Sequence, residues 1–232
     1  MDDNMRELEL LNPWFDKLPY DWNSLSNYGT EVSCKKNTIL FNQNEPGEFI
    51  YMVRSGRVRL YLISSSGEEK ALSIIGENGI LGECCLGQDS IHSTNAVCAS
   101  EVRLQKISRN DFLHFIAQKP EYILQTLDLI TKKYRLLCMQ SLHLSYMKSL
   151  PRICGLLIQL ALKYSVKQEG NKHQLTILFT QQEMANLLGT TRVTVAKNMK
   201  WLEDNNYIFK DNKYYIINDI KELNELSKDQ FD

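Results

Sequence analysis

The chain lacks the spacings that announce metal, redox or membrane chemistry. Its six cysteines, Cys34, Cys84, Cys85, Cys98, Cys138 and Cys154, include no C-x-x-C pair, so zinc-ribbon and simple iron–sulfur patterns are absent. The four histidines form neither H-x-H nor H-E-x-x-H, and no metal site is expected from spacing. No apolar run approaches bilayer length, and the acidic start lacks the basic-then-apolar order of a secretion signal. A cytoplasmic protein with no membrane association and reduced thiols is the expectation. An excess of one charge is missing as well. With 27 basic and 28 acidic residues the net charge is −1, which excludes a polycation held to nucleic acid by bulk charge alone. Prolines number five and glycines 11, few enough for each to mark a particular turn.

What is present is most informative between Phe179 and Lys197. Thr180 followed by Glu183 is a capping box that starts a helix. Met184, Leu187 and Leu188 give that helix one apolar face. Gly189 suits the left-handed residue that ends it, and Thr191 caps a second helix with Val195, Met199 and Leu202 as its buried stripe. Arg192, Val193, Ala196, Lys197 and Lys200 are left to face outward. The spacing predicts a helix-turn-helix whose second helix enters a major groove; the alternative is a helical hairpin with a solvated face. A predicted hairpin follows, with strands at 207–210 and 213–217 about an Asp211-Asn212 turn, as a wing with Lys210 and Lys213 at its tip. From Lys163 to Lys213 there are eight Lys/Arg against five Asp/Glu. So modest an excess means that DNA affinity rests on placement and on two copies.

Upstream the texture differs. Residues 1–30, with Pro13, Trp14, Phe15, Trp22 and Tyr28, are expected to be a helical lead-in. From Val32 to about Ile107, short β-prone runs alternate with Gly, Asn and Ser turns: 38–41, 49–53, 57–63, 70–75 and 102–107. They predict a β-barrel or jelly roll. A helical region begins near Ser108, and Pro120 opens a helix running to Leu150. In it Ile123, Leu127, Ile130, Tyr134, Leu137, Ser141 and Leu144 alternate at four and three. That heptad seam predicts two such helices side by side in a homodimer, against the alternative of one helix lying on its own barrel. Pro151 is expected to bend the chain before a further helix from Ile153 to about Val166. The fold class is thus α+β, with a sensor barrel over 1–119, a dimerisation helix and hinge over 120–150, and a winged helix-turn-helix over 151–232.

This order resembles the Crp/Fnr superfamily of bacterial transcription regulators. The resemblance rests on Asn44 to Tyr51, Ser55-Gly56-Arg57-Val58, Ser66 to Lys70, Gly79 to Glu83, Arg152-Ile153 and the helix-turn-helix run. In cyclic-nucleotide-binding relatives a Gly-Glu pair contacts ribose and an Arg-Ser pair grips the cyclic phosphate. Gly82-Glu83 matches the first pair, whereas the second reads His92-Ser93. An imidazole does not reproduce a bidentate guanidinium–phosphate contact. The expected effector is therefore a small molecule other than cyclic AMP, a compact organic anion as in halorespiration regulators, and no cofactor is expected. The resemblance implies an effector held near Gly82, Glu83, His92 and Ser93 and touching Leu137 and Cys138 on the long helix. It implies Arg192, Val193 and Lys197 as base-reading residues, with Thr180, Gln182, Thr191 and Thr194 on phosphates. Val193 packs on thymine methyls, so an A·T-rich inverted repeat is the expected DNA, and RNA polymerase a further partner. The adjacent Cys84 and Cys85 leave open a redox-responsive regulator. A jelly-roll metalloenzyme is set aside for want of a histidine pair, and a C-terminal domain that binds protein rather than DNA is the remaining rival.

Overall fold

The computed structural model describes residues 10–228. By its contacts the chain divides into two units, one over 13–135 and the other mainly over 136–232. The division falls inside a single long helix.

The first unit is built on short strands, several of them buried on both faces. Its strands are β1 (Trp14–Phe15), β2 (Thr30–Cys34), β3 (Ile39–Phe41), β4 (Phe49–Ser55), β5 (Val58–Ile63), β6 (Glu69–Ile75), β7 (Ile80–Leu81), β8 (Asn95–Cys98) and β9 (Val102–Ser108). They form one sheet in the order β1-β6-β5-β8-β3 and another in the order β2-β9-β4-β7. All pairings are antiparallel except β1 with β6. Apart from the β5–β6 hairpin, consecutive strands pass between the sheets, as in a jelly roll. The core draws on Ile50, Met52 and Val53 of β4, Val58 and Leu60 of β5, and Leu104 and Ile107 of β9.

The five sequence-predicted strands are present to within two residues. The helical lead-in is corrected over the described residues. Leu10 is helical, but Trp14 and Phe15 extend a sheet, Trp22 is buried, and between Leu11 and Thr30 only a 3-10 turn at Asn23–Asn27 is helical. Large aromatics spaced irregularly fill a barrel end more readily than they line a helix. Residues 1–9 of that segment lie outside the described residues.

Helix α1 (Arg109–Ala117) is capped by Ser108, whose hydroxyl accepts from the Asp111 amide. Helix α2 (Pro120–Tyr146) begins at its proline, where no amide donor is needed. It carries two separate stripes. Tyr122, Thr126 and Leu129 are buried, and the Tyr122 ring stacks on Phe115 at 4.2 Å. Ile123, Leu127, Ile130, Tyr134, Leu137 and Leu144, the heptad seam, are exposed, Tyr134 by 66%. One face of α2 thus packs within its own unit, as the single-helix alternative requires, while the heptad face stays exposed.

In the second unit, α3 (Ser149–Tyr164) starts two residues before Pro151. The bend is thus at Met147-Lys148, a correction to the expected hinge. Pro151 sits in the first turn, where a missing amide costs nothing. Residues Ile153 to Ala161 are all buried, making α3 the core of this unit. Around it lie a sheet of order β10-β11-β13-β12 (Ser165–Lys167, His173–Leu175, Tyr214–Ile217, Ile208–Asp211) and helices α4 (Gln181–Leu188), α5 (Arg192–Asp204) and α6 (Ile220–Ser227). No helix among the described residues is long and apolar enough to cross a membrane.

Candidate functional site

The reading head forms as its local sequence dictates. Thr180 Oγ1 accepts from the Glu183 amide while Glu183 Oε2 accepts from the Thr180 amide, closing the capping box. Gly189 ends α4 at φ 61°, ψ 50°, the left-handed region in which a Cβ is strained. Thr191 then caps α5, its Oγ1 accepting from the Thr194 amide at 3.1 Å. Met184, Ala185 and Leu187 on α4 and Val195, Met199 and Leu202 on α5 are buried. Arg192, Lys197 and Lys200 are exposed, and Val193 is 78% exposed. A valine so placed gains nothing from its own fold, which is what a methyl-reading contact requires.

The polar residues predicted to touch phosphate have structural duties as well. Thr180 and Thr191 are caps, Thr194 Oγ1 lies 2.9 Å from Thr191 Oγ1, and Gln182 Nε2 donates to Asn186 Oδ1 at 2.7 Å. Thr180, Gln182 and Thr191 remain exposed and Thr194 half-buried. In the wing, Asp211 pairs with Tyr214, so the turn residues are Asn212 and Lys213 rather than Asp211 and Asn212. Asn212 takes φ 53° and leaves Lys213 exposed at the tip. Lys210 lies with its Nζ 5.5 Å from the Tyr215 ring.

Two residues that hold this head were not singled out by chemistry in the sequence. Arg152 Nη1 donates to the Leu188 carbonyl at 2.7 Å, tying α3 to the C-terminal end of α4. Burial lowers its pKa from the usual guanidinium value. Asn198 Nδ2 donates to Ser149 Oγ at 3.0 Å, fixing α5 against the start of α3. Both partners are distant in sequence, so only folding exposes the relation.

In the barrel, Gly82 adopts φ 86° and comes so close to β4 that a Cβ there would lie 2.7 Å from the Phe49 carbonyl oxygen. Glu83 follows it into a short 3-10 turn, Glu83–Leu86. Its Oε1 pairs with Lys133 Nζ at 2.8 Å, and Lys133 also donates to the Ile80 carbonyl at 2.8 Å. Glu83 Oε2 is buried without a hydrogen-bond partner. Lys133 of α2 was missed at the sequence level because nothing local marks it.

His92 is corrected. It is buried, stacked on Phe41 with ring centroids 3.7 Å apart, and its Nδ1 lies 3.2 Å from Cys85 Sγ. Burial lowers its pKa, so the ring is held neutral. Ser93, next to it at a bend that precedes β8, is exposed. One side chain is thus buried and the other open to solvent. Leu137 and Cys138 lie exposed on α2 in the second unit.

The cysteine pair is reduced, with Cys84 and Cys85 sulfurs 4.0 Å apart. Burial, then the adjacent Cys84, push the Cys85 thiol up to about 12. Folding gathers Cys84, Cys85 and His92, whose donor atoms all lie within 4.8 Å of one another. The spacing-based expectation of no metal-capable cluster is corrected to that extent; a C-C-x6-H run matches none of the usual motifs.

Comparison with known proteins agrees with this architecture. Residues 31–119 match the cyclic nucleotide-binding domain and residues 151–226 the Crp-like helix-turn-helix domain. The CRP-like cAMP-activated global transcriptional regulator of Mycobacterium tuberculosis is 28% identical over 192 residues, 83% of this chain and 85% of that protein. The cAMP-activated global transcriptional regulator CRP of Salmonella typhimurium is 26% identical over 183 residues, 78% of this chain and 85% of that protein. Among solved structures, a CooA mutant from Carboxydothermus hydrogenoformans superposes with TM-score 0.77 at 20% identity, covering 90% of this chain and 92% of its own. CprK complexed with OCPA gives 0.75 at 19%, covering 94% and 98%. With both domains matched in this order, the chain belongs to the Crp/Fnr superfamily and is an effector-controlled, DNA-binding transcription regulator.

Proposed function

We propose that the protein is a cytoplasmic homodimer whose affinity for an A·T-rich inverted repeat is set by a compact organic effector other than cyclic AMP. The observation that carries the effector reading is the condition of the Glu83 turn. A cyclic phosphate needs a cation facing it, and the side chain at the arginine-like position is a neutral imidazole turned toward Cys85. Two of the relatives above are cAMP-activated; this chain departs from their resemblance at the position that grips the phosphate. Lys133 and the half-satisfied Glu83 instead suit a small anion that also carries a hydroxyl or amide donor. An effector that displaces Lys133 from Glu83 acts directly on the helix bearing the dimer stripe. Reciprocity then requires that DNA strengthen effector binding as much as effector strengthens DNA binding.

The exposed stripe of α2 supports the dimer, and two-fold symmetry supports half-sites one DNA turn apart. Arg192, Val193 and Lys197 face bases in this reading. Thr180, Gln182, Thr191, Thr194, Lys200 and Lys213 set register on phosphates. RNA polymerase is the further partner, and the protein regulates rather than catalyses. Sedimentation and gel shifts at fixed salt test this. The expected result is a dimer that prefers A·T-rich inverted repeats and does not bind more tightly with cyclic AMP. Tightening by cyclic AMP would overturn the effector reading. A monomer indifferent to duplex sequence would overturn the whole proposal.

A further inference from the structure

The barrel holds a cluster of soft donors that the proposed regulation does not require. We propose that Cys84, Cys85 and His92 form a binding site for one thiophilic d10 metal ion, Zn(II) or Cu(I).

The geometry carries this. Zinc–sulfur bonds of about 2.3 Å and zinc–nitrogen bonds of about 2.0 Å, at tetrahedral to trigonal angles, put two sulfurs about 3.8–4.0 Å apart and a sulfur and nitrogen about 3.5–3.7 Å apart. The Cys84 and Cys85 sulfurs are 4.0 Å apart, and Cys85 Sγ lies 3.2 Å from Nδ1 and 3.9 Å from Nε2 of His92. The three donor atoms lie within 4.8 Å of one another, so side-chain rotation of Cys84 and His92 about a shared Cys85 has to draw them onto one ion. Two thiolates with one imidazole form a soft donor set that selects d10 ions over Mg(II) or Ca(II).

The surroundings hold these donors in place. Arg109 Nε donates to the Cys85 carbonyl at 2.7 Å, and its Nη2 donates to the Leu86 and Gly87 carbonyls at 3.4 and 3.1 Å. That grip fixes the turn bearing both cysteines from behind. Phe41 lies parallel to the His92 ring, with 6° between their planes, and so sets the ring's plane. Gly47 is required on the far side, since a Cβ there would lie 1.7 Å from Cys85 Sγ. Cys85 and His92 are buried while Cys84 is half-buried, so the site has one open side for entry and for a fourth ligand. Loading replaces the two thiol protons, which leave to solvent. The site does not depend on the effector reading, though it abuts Glu83 in the chain.

Titration of the reduced, metal-free full-length protein with Co(II) tests the site, followed by displacement with Zn(II) and, in a separate arm, loading with Cu(I) under anaerobic conditions. One Co(II) per chain is expected, with thiolate charge-transfer absorption and the ligand-field bands of a low-coordinate site. Cys84→Ser, at a half-buried position, is expected to lower Zn(II) affinity by at least about 100-fold, more than the loss of an outer-shell partner. His92→Gln is expected to lose the same bands, with its fold checked by circular dichroism. Cys138→Ser and Cys34→Ser are expected to bind as the parent does. Absence of thiolate absorption overturns the proposal, as does unchanged affinity in Cys84→Ser or loss of binding in Cys138→Ser. None of these readouts uses DNA, so failure here leaves the regulatory reading standing.

Discussion

The reading head and the sensor turn treat their polar side chains in opposite ways. On α5 the cations and Val193 point out, and the hydroxyls beside them close the helix caps. Around Glu83 the polar groups point in, paired to Lys133, stacked under Phe41 or left with one acceptor unmet. A large rigid partner such as duplex DNA is met by a surface already shaped for it. A small ligand has to be enclosed, so its site is built from inward groups that substitute for one another until it arrives. The two regions therefore fail differently when mutated.

The largest expected effect separates the head from its second copy. Leu127→Glu with Tyr134→Glu places charges on the exposed α2 stripe, and sedimentation should report monomers. DNA affinity should fall by about 10²–10⁴-fold as the second half-site contact is lost, while the monomer's circular dichroism stays unchanged. Arg192→Ala comes next. An exposed arginine on a groove-facing helix is worth about 1–3 kcal/mol of discrimination, so specific binding should weaken by about 10- to 100-fold in gel shifts. Thermal stability should not change.

Lys133→Met probes the sensor side instead. It leaves Glu83 without its cation in a setting where both side chains are mostly covered. Denaturant unfolding should show a loss of about 1–2 kcal/mol, discounted from a fully buried pair for residual solvent. DNA affinity should become less responsive to effector. If instead Lys133→Met leaves stability unchanged and Arg192→Ala destabilises, the contrast between the two regions is wrong. The smallest effect is Thr180→Ala, which removes one half of the capping box. A loss of about 1 kcal/mol is expected by the same unfolding measurement.

The head was legible because its determinants are local. Capping box, left-handed glycine and second cap lie within a dozen residues, and each acts through neighbours in sequence. Five of the strands were legible because apolar, β-prone runs bounded by Gly, Asn and Ser turns mark them locally. Strands β2, β7 and β8 were not, because they owe their place to partners such as Arg103, Tyr51 and Tyr61 elsewhere in the chain. Helix α6 was also missed; its sequence is charged, and only burial of Leu223 and Asn224 gives it a face.

The amino-acid order by itself thus determined the two-domain plan, the helix-turn-helix and the outward face of α5, since short-range spacing decides caps and periodicity. Tertiary structure alone decided that α2 carries a buried stripe beside its exposed one, and that Lys133 meets Glu83. It alone turned His92 away from any phosphate and toward two cysteines. Such pairings join residues seven to fifty positions apart, and no local pattern encodes which of two opposite faces a given side chain will take.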